Sequence, residues 1–137
     1  MYNDNYETCS NTYITLRIYY DKMNSEKLTE YLEIEPTSFQ NKGDSKTEIN
    51  GWFLSSKENT NSKDCRRHID YLADLLIPIK SKLKNIVNNG GKIDFSCYWK
   101  SKNGHGGPTI SKEQFSKLAE LEIELWFDIY WKEKPNA

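Results

Sequence analysis

Stretches of the chain that alternate apolar and polar residues constrain its fold most. Between Asn11 and Tyr20, Ile14, Leu16 and Ile18 fall on one side, and Tyr13, Thr15, Arg17 and Tyr19 on the other. Lys92 to Lys100 repeats the pattern, with Ile93, Phe95, Cys97 and Trp99 against Asp94, Ser96 and Tyr98. From Glu122 to Trp131, Ile123, Leu125, Phe127 and Ile129 oppose Glu124, Trp126, Asp128 and Tyr130. Successive side chains of a strand point to opposite faces, so a period of two means one face buried and one open. A sheet covered on both sides would read as solid apolar runs instead. The expected sheet is therefore covered on one face only.

The cover comes from helical segments. Leu28, Tyr31 and Leu32 form a short stripe behind Asn24, a fitting N-cap, with Met23 and Leu28 spaced as a hydrophobic staple; Pro36 forbids continuation. Ile69, Leu72, Leu76, Ile79, Leu83 and Ile86 recur at helical spacing. Because that stripe keeps its register across Pro78, one kinked helix is expected, opened by a capping box of Asn61 with Asp64 and stopped by Asn88-Asn89-Gly90-Gly91. A further helix begins at Ser111, which makes a capping box with Gln114 and a staple of Ile110 with Phe115, and turns Leu118, Ala119 and Leu121 inward. Gly51 to Ser55 reads as a strand, and a short partner is expected around Ser38 to Lys42 before the Gly43-Asp44 turn. The sum is an α+β two-layer sandwich: a mostly antiparallel sheet with helices on one face, a ferredoxin-like variant with an extra helix and strand. Residues 1–10 are expected as a disordered or irregular lead-in and 11–137 as a single α+β domain, which suits a chain of 137 residues.

Composition narrows the function classes. Lys+Arg of 19 against Asp+Glu of 20 gives a net charge of −1, without the overall basicity of a general nucleic-acid binder. No apolar run reaches the roughly 20 residues of a membrane span, and the N-terminus lacks the basic and apolar regions of a secretory signal. Cys9, Cys65 and Cys97 are odd in number and lack CxxC spacing, as expected of a reduced cytoplasmic protein. The excess of Lys over Arg, with many Asn and Tyr, fits an AT-rich bacterial genome. GxSxG and HExxH are absent, and no catalytic residue, metal site or cofactor is expected. Cys65 and His68 lie three apart, but Cys97 and His105 lack the spacing of a second ligand pair, so structural cysteines are expected. The Gly104-His105-Gly106-Gly107-Pro108 run lacks phosphate-loop spacing and reads as a strand-to-helix connection.

Several short runs resemble a family of small bacterial proteins, the domain of unknown function DUF4279. They are Leu32-Glu33-Ile34-Glu35-Pro36, the Gly43-Asp44 turn, Gly51-Trp52-Phe53-Leu54-Ser55-Ser56 and Leu125-Trp126-Phe127-Asp128-Ile129-Tyr130. The resemblance runs from about Thr12 to Trp131 and brings no catalytic residues with it. Some members of the family look like immunity proteins encoded beside secreted toxins, which implies a toxin-neutralising role.

The residues themselves direct attention to the open face. Tyr13, Arg17, Tyr19, Asp94, Tyr98, Glu124, Trp126, Asp128 and Tyr130 are all expected there. Tyr, Trp and Arg anchor interfaces because they bury much area for little lost rotamer freedom. A solvated face whose cross-strand pairs only stabilise the sheet would give the same pattern. RNA stacking fits the rings, but Asp94, Glu124 and Asp128 would stand beside the phosphates with Arg17 alone to offset them. The expectation is a non-enzymatic protein-binding domain whose acidic, aromatic face suits a basic partner such as a nuclease toxin. The alternatives are a small-molecule or regulatory pocket between the sheet and the 101–108 loop, or a homodimer. Lys80, Lys82, Lys84, Lys92, Lys100 and Lys102 read as a solvated face, or as a second surface for an anion.

Overall fold

The computed structural model describes residues 1–44 and 46–131. Along the chain run β1 (Cys9–Tyr19), α1 (Ser25–Leu32), β2 (Ser38–Gln40), β3 (Gly51–Ser55), α2 (Cys65–Leu76), α3 (Lys80–Asn88), β4 (Lys92–Ser101), α4 (Lys112–Leu121) and β5 (Glu124–Tyr130). The strands form one sheet in the order β2-β3-β1-β4-β5, with every pair antiparallel except β4 and β5. β3 inserts between β1 and β2, the split βαβ arrangement of a ferredoxin-like core, and α4 with β5 extends it beyond β4. The fold is thus an open-sheet α+β structure, as the alternation implied. The last residues of the expected domain, 132–137, lie outside the described residues.

The apolar sides of β1, β3 and β4 are sealed. Ile14, Leu16 and Ile18 of β1, Trp52 of β3, and Phe95, Cys97 and Trp99 of β4 are fully buried, against Leu28, Leu32, Ile69, Leu72, Leu76, Leu83 and Ile86 from the helices. Each such large side chain contributes about 1.5–3 kcal/mol on burial, against about 0–1 kcal/mol for an exposed ion pair such as Lys80–Glu120. Burial, and not the lysine-rich surface, holds the helical layer down.

Some expectations are corrected. The stripe across Pro78 is two helices, because proline cannot donate to the Asp74 carbonyl; Ile77–Ile79 tightens into a 3-10 turn between α2 and α3. The cap of α2 is Asp64 itself, whose carboxylate accepts from the Arg66 backbone N–H at 3.0 Å, whereas Asn61 is exposed. In α4 the Ser111–Gln114 capping box is present, but Gln114 turns inward with Leu118 and Leu121 while Ala119 and Phe115 face solvent. Gln114 goes inward because its amide donates to the Asp70 carboxylate at 3.0 Å.

The lead-in before β1 is irregular but tied down, not disordered. The Tyr2 hydroxyl donates to Asp70, and the Asn3 backbone N–H donates to Asp64 at 2.7 Å. Asp4 pairs with Arg67 at 2.8 Å and accepts from the Ser62 hydroxyl at 2.6 Å. Burial and the Asp70 hydrogen bond push the Tyr2 hydroxyl up to about 12.

Candidate functional site

On the face away from the helices, strand register brings distant residues into rows. Arg17 of β1 stands beside Phe53 of β3 and Asp94 of β4, and Asp94 beside Glu124 of β5. The next row holds Ser55, Thr15, Ser96 and Trp126, and the one after it Tyr13, Tyr98 and Asp128. Tyr130 lies beside Lys100, and Tyr19 beside Lys92. All nine residues singled out in the sequence therefore share one face. The row of short side chains forms a low floor between two ridges of long ones, with Trp126 at its β5 end.

Neighbours fix the orientation of these side chains. Arg17 makes a two-pronged contact with Asp94, at 2.7 Å through Nε and 2.6 Å through Nη2, and lies 5.2 Å from the centre of the Trp126 ring. The Asp94 carboxylate raises the Arg17 pKa above its ordinary value. Tyr13 stacks on Tyr98 at 4.8 Å, Tyr98 meets Tyr130 at 5.2 Å, and Tyr19 meets Phe53 edge-on at 5.7 Å. Burial, with Asp128 and Tyr130 nearby, raises the Tyr13 pKa. Trp126 and Tyr130 remain 51% exposed, so the most accessible rings of this face sit on β5.

The charge of the face needs correcting. Arg17 is not the only base among the acids: Lys92 and Lys100 share the parity of Asp94 and Tyr98, and the Lys57 ammonium lies 5.3 Å from the Tyr13 ring centre. The face as a whole is mixed in sign, and its acidic character is confined to the β5 side, where Glu124 and Asp128 flank Trp126. The parity of Lys92 and Lys100 was readable from the alternation. Phe53 was hidden because Trp52-Phe53-Leu54 is apolar at every position and does not reveal which ring turns outward.

The lysine-rich segment does not form one surface. Lys80, Lys82 and Lys84 lie on the helical layer, paired with Glu120 at 3.2 Å, Glu33 at 3.6 Å and Glu122 at 3.4 Å, whereas Lys92 and Lys100 lie on the opposite side of the sheet. The 101–108 loop packs on the lead-in: the Tyr6 hydroxyl donates to the Gly107 carbonyl at 2.6 Å, and Lys102 N–H donates to the Thr8 carbonyl at 2.8 Å. Gly106, at φ +86, presses on Thr8 so closely that a Cβ would clash. Cavities of about 600, 460 and 440 Å³ lie elsewhere, the first around Tyr2, Arg67 and Asp74, the others at the end of the sheet around Tyr19 and Lys92.

Sequence reasoning missed a buried Ser–His pair. The His68 Nδ1 lies 2.6 Å from the Ser56 hydroxyl, and its Nε2 lies 2.8 Å from the Ser62 carbonyl. A carbonyl only accepts, so Nε2 carries the proton and Ser56 donates to Nδ1; the Ser56 oxygen in turn accepts from the Ile14 N–H at 3.0 Å. Both side chains are sealed from solvent, and burial lowers the His68 pKa. Both imidazole nitrogens are thus occupied, which leaves none to join Cys65 on a metal. Cys65 donates to the Thr109 carbonyl, and contact with Cys97 together with burial pushes its thiol up; burial takes Cys9 to about 11.

A family model described as a domain of unknown function (DUF4279) matches residues 10–132, and the chain belongs to that family. No curated protein and no solved structure matches it. Among the described residues, no helix is long and apolar enough to cross a membrane.

Proposed function

We propose that this domain is a non-enzymatic, cytoplasmic protein-binding module that docks a basic partner on the β5 side of its open sheet face. One observation carries the reading. The half-exposed Trp126 and Tyr130 rings are held in place by the Arg17–Asp94 pair and the Tyr13–Tyr98 stack, with Glu124 and Asp128 beside them. Rings already fixed in position lose little freedom on binding, and adjacent carboxylates steer a cationic surface. A face that only stabilised the sheet would not need its two most accessible rings at an edge.

The narrower reading makes the partner a basic toxin domain, neutralised by occlusion. Its support is the likeness of some family members to immunity proteins. A cytoplasmic location is supported by three buried free thiols, which persist in a reducing compartment. The rival pocket under the 101–108 loop has less support, because the loop is packed against residues 6–8.

The test takes the toxic C-terminal domain of a secreted protein encoded beside the gene and measures its binding by calorimetry. Trp126→Ala and Tyr130→Ala should each weaken binding by about 2 kcal/mol or more, with unchanged melting temperature, and affinity should fall as salt rises. Unchanged binding in both variants, or unfolding of both, overturns the docking reading. A gene neighbourhood without such a toxin removes the toxin reading alone.

A further inference from the structure

The two edges of the sheet are built differently. β2, at one edge, is three residues long; β5, at the other, is seven, and no other described strand pairs with its outer side. Unpaired edges expose a row of N–H and C=O groups, which proteins blunt with charged side chains (lysine above all), prolines, bulges or short strands. Glu-Leu-Trp-Phe-Asp-Ile-Tyr has no lysine or proline and only two charges, Glu124 and Asp128, and its pairing with β4 runs without a register shift. Four exposed large apolar residues gather there as well: Trp126, Phe127 at 39%, Tyr130, and Trp131 just beyond.

We infer that the outer edge of β5 pairs antiparallel with β5 of a second copy of this chain, with Phe127 on the two-fold axis. The strand is complementary to itself in that register. Directly opposed residues of an antiparallel pair point to the same face, so Glu124 meets Tyr130 and Trp126 meets Asp128 on the open face. On the covered face Leu125 meets Ile129, and the two Phe127 rings meet each other. Glu124 and Asp128, the only charges of the strand, each oppose a ring and never another carboxylate. Other axes lose this. Centring on Trp126 sets Glu124 against Asp128 twice, and centring on Asp128 sets two copies of that carboxylate face to face. Centring on Phe127 is also the one choice that pairs all seven residues. An interface made of the same patch on both subunits closes as a dimer and leaves no edge between them. The inference goes beyond the docking reading and does not depend on it, since the pairing forms without any other protein.

The test uses the full chain alone. Light scattering across a micromolar concentration series should give twice the 16.1 kDa chain mass. Phe127→Asp, which places two carboxylates on the axis, should return the chain mass, whereas Phe127→Leu should keep the dimer. Single cysteines at 126, 127 and 128 then read the register, because the native cysteines are buried. Diamide, which accepts the two electrons and two protons released by a thiol pair, should link Phe127→Cys into a covalent dimer and leave Trp126→Cys and Asp128→Cys largely unlinked. The inference is overturned by a chain that stays at its own mass throughout, which would leave the edge to an extended segment of another protein. It is equally overturned by a dimer that Phe127→Asp leaves intact, or one that links through 126 or 128 in preference to 127.

Discussion

Ser56→Ala offers the sharpest check on how the sheet and α2 are joined. The Ser56 hydroxyl serves two buried groups at once, accepting from the Ile14 N–H at 3.0 Å and donating to His68 Nδ1 at 2.6 Å. Alanine fills nearly the same space, so the cost comes from the groups left behind rather than from a cavity. His68 cannot recover by moving its proton, since Nε2 would then face the Ser62 carbonyl without one. Each orphaned buried group costs about 1–3 kcal/mol, so the substitution should cost about 2–6 kcal/mol. A domain near the middle of the ordinary range, about 5–15 kcal/mol, loses a large share of its stability but stays folded. Urea unfolding followed by tryptophan fluorescence should show a lower midpoint with an unchanged slope. Ser55→Ala, on the open face one residue earlier, should change stability by no more than about 0.5 kcal/mol. A cost below about 1 kcal/mol for Ser56→Ala would refute the reasoning, because the two orphaned groups would then have other partners. Labelling of native Ser56 by a fluorophosphonate would refute it differently, by exposing a reactive hydroxyl where a sealed one is described.

Further outcomes follow from the same burial. His68 is held neutral, with a pKa below its ordinary 6.5, so as pH falls through 6.5 the unfolded chain takes up a proton that the folded chain refuses. Stability should therefore be fully present above that pH and decline below it by up to about 1.4 kcal/mol per pH unit, until the folded group titrates. Urea midpoints measured between neutral and mildly acidic pH should show this slope, and His68→Gln should flatten it; a wild-type curve flat across that range counts against the buried neutral imidazole. Cys9, Cys65 and Cys97 are all buried, with thiol pKa values raised in Cys9 and Cys65. An aromatic disulfide reagent should leave native protein unlabelled and release its chromophore only on unfolding, and a rapidly labelled native thiol would contradict that burial.

The legible part of this fold was whatever one period of side chains decides. Ile14, Leu16 and Ile18 announce an inward face because each stands between residues that do not belong there, and the nine outward residues follow from the same parity. Pairing order was inferable because a helix after β1 and a hairpin of β2 with β3 leave few ways to close the sheet. Interactions between distant segments were not legible. Asn61 and Asp64 both fit a capping position, and Asp64 takes it because Arg66 and the Asn3 N–H converge on its carboxylate. The lead-in read only as disordered or irregular because its anchors, Asp70, Arg67 and Gly107, lie far along the chain. Ser56 and His68 belong to different elements and share no motif, so only the docking of α2 on the end of β3 makes them a pair. Lys57 reaches the Tyr13 ring for a similar reason, from just past the end of β3.

The docking face and the proposed edge meet in the same strand, and this has a thermodynamic consequence. Trp126 lies over Arg17 on the face and, in the Phe127-centred pairing, opposite Asp128 of the other copy. A partner that draws on the exposed ring of Trp126 therefore acts on a group whose surroundings change when two chains pair. If pairing holds the ring in the orientation that docking needs, a docked partner tightens the dimer by the same factor by which the dimer tightens docking; if pairing covers the ring, each opposes the other by an equal factor. Where pairing changes how a partner meets Trp126, the two equilibria are coupled, since a ligand shifts an equilibrium by its differential affinity for the two states. Tyr98 and Tyr13 stand one and two strands further from the edge and keep the same neighbours in either state. A partner anchored on them alone would bind monomer and dimer equally. Concentration dependence of partner affinity thus identifies which half of the face is used, without a structure of the complex.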